Sequence, residues 1–160
     1  MTRFMAVAFV LLSMAAFAED EWETYKAPNY GFEMLIPKGA KPVEREKKGG
    51  WGGLYVKHDG VEVYALAKLG AAEEKADIRK FAEQECGIPG DNWKKIDAGE
   101  NSKGWKWCEV YVAEKGSTLI FGGFGVGPKG NYLIFLKTTK EDYDEHKADY
   151  KEWYGSVKLN

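Results

Sequence analysis

Gly125, Gly127 and Gly130, in the stretch FGGFGVGPKGNY, have the G-x-G-x-x-G spacing of a phosphate-binding loop. In a dinucleotide fingerprint such glycines open a helix, whose unpaired N–H groups and positive partial charge hold the pyrophosphate. Here the motif runs instead into NYLIFLKTT, a β-type run. Lys129 is followed by Gly130, where a P-loop requires Ser or Thr for magnesium. The glycines therefore read as a hairpin connection, with Pro128 and Gly130 supplying turn geometry, and no cofactor is expected.

A second group with chemical potential is Asp142, Glu145, His146 and Asp149. On a helix, spacings of three, four and seven place these groups within reach of one another, as a divalent cation would require. One turn of helix rarely closes a coordination sphere unaided, so the stripe reads as the solvated flank of an aromatic helix and no metal site is assigned. Of Ser102, Ser117 and Ser156, none stands in a G-x-S-x-G elbow, and the only histidines are His58 and His146. No catalytic residue is nominated.

Trp51, Trp93, Trp105 and Trp107 lie near glycines and lysines. They are the candidates for an exposed aromatic binding surface, with burial in a core as the competing fate. The chain of 160 residues carries a formal net charge of −2, with lysines and acids interspersed. It has no basic footprint for nucleic acid.

These groups must be positioned by a chain whose first 18 residues, MTRFMAVAFVLLSMAAFA, have the parts of a secretory signal peptide. Arg3 is the positive region, Met5 to Met14 the apolar run, and Ala16-Phe17-Ala18 the cleavage site. The apolar run is too short to span a bilayer. Residues 19–160 then form one exported domain, secreted or periplasmic, with no membrane span after cleavage. In an oxidising compartment the two cysteines, Cys86 and Cys108, are expected to pair as a structural disulfide. Their spacing is not C-x-x-C, which disfavours a thioredoxin-like role.

The element pattern is mixed. YGFEMLIP reads as a strand closed by Pro37, and Asp59-Gly60 as a hairpin turn between two alternating runs. Asp77 to Cys86 has helical spacing, with Asp77 as N-cap and Gly87 as stop. Thr118 to Val126 and Tyr132 to Leu136 are apolar on both parities, as in strands buried on both faces. Thr138 and Glu141 form a capping-box pattern before a last helix with Tyr143, His146, Tyr150, Trp153 and Val157 along one face.

The opening YKAPNYGFEMLIPKGA and the close TTKEDYDEHKADYKEWYGSVKL resemble the PsbP-like fold family. Tyr30, Gly31, Phe32 and Pro37 carry the first motif, and Trp153, Ser156 and Leu159 the second; Ala40 departs from the tryptophan usual after the initial proline. The resemblance implies an α+β fold, an antiparallel sheet with helices packed on both faces. It also implies non-catalytic accessory or binding work by surface docking. Three functional readings follow: an exported domain docking to a protein partner or ligand in the cell envelope, a glycan or small-ligand binder using the tryptophans, and an enzyme with an unmarked Cys/His or carboxylate site. The third predicts one concave cluster of histidine with cysteine or carboxylate.

Overall fold

The computed structural model describes residues 21–97 and 103–160. The expected leader, its cleavage site and Ser102 lie outside the described residues. In chain order the elements are β1 (Trp22–Ala27), β2 (Phe32–Pro37), β3 (Val43–Glu46), β4 (Gly52–His58), β5 (Val61–Leu69), α1 (Lys75–Cys86), β6 (Trp93–Ile96), β7 (Trp107–Lys115), β8 (Thr118–Val126), β9 (Gly130–Thr139), α2 (Lys140–Gly155) and β10 (Lys158–Leu159). They form two antiparallel sheets, a seven-stranded one ordered β3-β4-β5-β9-β8-β7-β6 and a three-stranded one ordered β1-β2-β10. The strand beginning at Phe32 therefore belongs to a second, smaller sheet.

Asp59 and Gly60 both adopt positive φ, 47° and 80°, and His58 pairs with Val61. This is the primed turn whose twist matches that of the flanking strands. The glycine motif resolves in the same way. Val126 pairs with Asn131 across the β8–β9 hairpin, and the Gly127 N–H donates to the Gly130 carbonyl at 2.9 Å. No helix opens there, so the backbone amides that would cradle a phosphate are spent on the sheet.

Adjacent residues of the central strands divide between two apolar clusters, as a period of two requires. Leu133 and Phe135 join Leu66, Phe124 and the α1 residues Ile78 and Ala82. Ile134 and Leu136 join Val63, Ala65 and Phe121, the α2 residues Tyr143, Tyr150, Trp153 and Tyr154, and Phe32, Met34 and Ile36 of β2. Trp153 is fully buried, its indole Nε1 donating to the Leu35 carbonyl at 3.1 Å. The Leu35 N–H donates to the Ser156 hydroxyl at 3.1 Å. The small sheet is thus tied to α2 by side-chain bonds to its main chain. The Asn160 N–H closes the arrangement on the Gly31 carbonyl at 2.9 Å.

Both helices start at a residue other than the expected cap, three positions earlier in α1 and one later in α2. Glu74, not Asp77, is the N-cap of α1, and Asp77 lies inside the first turn, where its charge still complements the helix dipole. Gly87 ends α1 in the left-handed conformation, φ 67°, as its type favours. At α2 the capping hydroxyl belongs to Thr139, which accepts from the Asp142 N–H at 3.1 Å. Thr138 is drawn into the core as the buried end of β9, and its hydroxyl donates to Asp142 Oδ2 at 2.6 Å.

Candidate functional site

Asp142, His146, Asp149 and Tyr150 recur on α2 at the spacing of one helical face, and that face borders an open cleft of about 520 Å³. Glu21 and Trp22 reach the cleft from the start of β1, Pro37 and Lys38 from the end of β2, and His58, Asp59 and Val61 from the β4–β5 turn. The fold thus brings both histidines of the chain, 88 positions apart in sequence, to one concavity. Glu145, the fourth member of the acidic stripe, does not line it.

Asp142 is the hub of the α2 wall. It accepts from Thr138, from the Tyr150 hydroxyl and, through Oδ1 at 3.2 Å, from His146 Nδ1. His146 Nδ1 also meets the Asp142 carbonyl oxygen at 3.1 Å; both partners are acceptors, so this nitrogen carries a proton. The side chain competes with the backbone for that carbonyl, and α2 leaves helical geometry at His146, φ −115° and ψ 24°. Burial works to lower the His146 pKa, but the Asp142 carbonyl and the charges of Asp142, Glu145 and Asp149 outweigh it and raise it above the ordinary value. Across the cleft, His58 Nε2 lies 3.3 Å from Asp59 Oδ2. Burial, followed by the hydrogen bond to Asp142, pushes the Tyr150 hydroxyl well above the usual phenol range. Among the described residues, no group of three or more His, Cys, Asp or Glu is disposed to hold a metal ion.

The expected disulfide is absent, and the two cysteines are free thiols. Cys86, at the end of α1, packs with the cluster that contains Ile78 and Phe124. Cys108 instead lies beside the hydroxyl of Tyr154, a member of the other cluster, without a well-formed hydrogen bond. Alternation along β7 therefore directs the second thiol away from the first. Burial pushes both thiols upward, Cys86 far so, which leaves neither one an activated nucleophile. Ser156 is likewise occupied, donating to the Trp153 carbonyl at 2.5 Å while accepting from Leu35.

The four tryptophans do not make one platform. Trp51 is buried, 5% exposed, and stacked on Phe81 at 4.2 Å between centroids. Trp105 is half-buried and sits edge-on to Tyr132, against the α2 cluster. Trp93 and Trp107, both half-buried, flank the Tyr111–Phe124 stack. Arg79 lies over Trp93 and Tyr111, and Lys75 over Trp107. Glu109 binds this group together, accepting from Lys75, from Lys95 at 3.2 Å and from Tyr111 at 2.7 Å. Burial alone would raise the Glu109 carboxyl, but those three donors hold it at about 2.

The cleft was not legible in the sequence because its walls come from four separate segments. The one signal pointing to it was the α2 stripe. The fold is mixed α+β and PsbP-like. A solution structure of cyanobacterial PsbP (CyanoP) from Synechocystis sp. PCC 6803 matches it with a TM-score of 0.62 at 13% identity, over 94% of this chain and 99% of that one. No protein-family model matches the chain, and no curated protein matches it in sequence. No helix among the described residues is long and apolar enough to cross a membrane.

Proposed function

We propose that residues 19–160 are a single exported, non-catalytic accessory domain that works by docking to a protein partner in the cell envelope. The observation that carries this reading is the end-to-end match to PsbP, since accessory work by surface docking is what that fold implies. In the layering we read from the two clusters, α1 covers one face of the large sheet, and α2 with the small sheet covers the other. Both faces are then closed, and docking falls to the rims, where the cleft opens. Affinity capture with the whole protein from a native envelope extract tests the reading. One partner retained in stoichiometric amount is the expected result; no retained partner under native salt overturns it.

One observation favours a second reading. A concave cluster of histidine with carboxylate is what an unmarked enzyme would show, and His58–Asp59 and His146–Asp142 are such pairs. Either imidazole could act as a general acid or base toward a bound molecule. Hydrolysis of generic ester or phosphoester substrates, lost in both His58→Gln and His146→Gln, would establish this reading in place of docking. Docking predicts that neither variant changes any background rate.

A further inference from the structure

The cleft combines two kinds of wall. Trp22, Pro37, Val61 and Tyr150 supply apolar surface, while Glu21, Asp59, Asp142 and Asp149 supply carboxylates, against one lysine, Lys38, and the two histidines. Asp59 is held at the tip of a tight turn with its side chain 91% exposed, and Glu21 is also exposed, so both are accessible to a visiting cation. A ligand complementary to such a site needs an aliphatic stem to lie on the apolar wall and a cationic head to reach the acids. Arginine has both, and its planar guanidinium also stacks on aromatic rings and bonds carboxylates in pairs. At about 520 Å³ the cleft has the volume of a small-ligand site, ample for one such side chain with its flanking backbone.

We infer that the cleft between α2, the β4–β5 turn and the start of β1 is the docking site for an arginine side chain presented by the partner protein. The inference rests on the docking reading and supplies its chemistry. Positive charge already at the site opposes the guest: Lys38 permanently and His146 increasingly as pH falls, while His58 competes directly for Asp59, its Nε2 lying 3.3 Å from Asp59 Oδ2. The carboxylates facing them are Glu21 from β1, Asp59 from the turn, and Asp142, Glu145 and Asp149 from α2.

The test is a ¹⁵N-correlation titration of the whole domain with acetyl-Gly-Arg-Gly-Arg-Gly-amide in low salt, with the citrulline peptide as an uncharged isostere. Saturable shifts at the Trp22 indole and at the Asp59, Val61 and Asp149 amides are expected, with none from citrulline. Asp59→Asn/Asp149→Asn should weaken binding several-fold, about three- to tenfold, two solvent-accessible ion pairs being lost. Asn tolerates the positive φ of residue 59, so the turn is retained, and Asp59→Asn alone serves if the double variant melts early. Lowering the pH from 8 to 5.5 should weaken binding as well. No shifts, shifts scattered over other acidic surface, equal response to citrulline, or an unchanged affinity in the variants each overturns the inference. If a partner captured by the whole protein is retained equally by Asp59→Asn/Asp149→Asn, the arginine site falls and docking stands. If no partner is captured at all, it is the docking reading that falls.

Discussion

Replacing Glu109 by Gln tests the electrostatics of the β6–β7 region, because the amide keeps the shape and an acceptor for Tyr111 while removing the charge. The carboxyl is 12% exposed and is held at about 2, against an ordinary value of 4.5. At 1.36 kcal/mol per pH unit that shift corresponds to about 3 kcal/mol. Lys75 and Lys95 are 56% and 61% exposed, however, and water screens their share, so about 1–2 kcal/mol is the expected loss at pH 7. The sign follows from a depressed folded-state value. The charge contributes fully above pH 4.5, and its contribution disappears as pH falls through the range from 4.5 to about 2. Urea unfolding of both proteins at pH 7, 5, 4 and 3 should give a stability gap that is nearly constant from pH 7 to 5 and falls to roughly half or less by pH 3, on its way to vanishing near the folded-state value. A gap independent of pH would mean that Glu109→Gln acts through packing and would refute the assignment of the three donors.

Three further outcomes are expected. Gly123→Ala should destabilise by about 2 kcal/mol in urea, since its Cβ would meet the Tyr154 hydroxyl and come within 2.6 Å of the Glu109 carbonyl; Tyr154→Phe should restore only part, as the carbonyl contact persists. Intact mass should show no loss of two hydrogens, and thiol titration should find two groups that react slowly in the folded protein and fast after unfolding, because partial burial raises the pKa of both Cys86 and Cys108. The His146 ring should titrate above 6.5 by NMR, and its contribution to stability should be present in full below that pH and fade as pH rises through the shifted value. Asp142→Asn should move that titration downward.

Local signals were readable wherever a residue type dictates its own backbone. The Asp59-Gly60 turn, the left-handed Gly87 and the β8–β9 hairpin follow from short stretches whose chemistry allows few alternatives. The N-cap of α2 was displaced because two threonines in a row offer equal hydroxyls, and only the depth of the core decides that Thr138 goes inward. β10 escaped notice since two residues carry no period, and β6 since WKKI is too short and polar to alternate visibly. The disulfide expectation rested on compartment and count alone; which way each thiol points depends on strand parity and helix placement, which neither consideration contains. The tryptophans were ambiguous for a related reason, as an indole fits a core and a surface equally well until its neighbours are known.

The residues that seal the α2 cluster arrive late. Trp153, Val157 and Leu159 are all at most 4% exposed, and the Leu159 N–H bonds the Lys103 carbonyl at 3.0 Å. A growing polypeptide therefore carries Phe32, Met34 and Ile36 uncovered until the segment from Trp153 to Leu159, more than a hundred positions further on, has been made. During synthesis this would favour a chaperone-held or unfolded state over an early compact one. A product truncated before Trp153 would keep its hairpins but leave a greasy trough along β2, a natural mark for proteolysis.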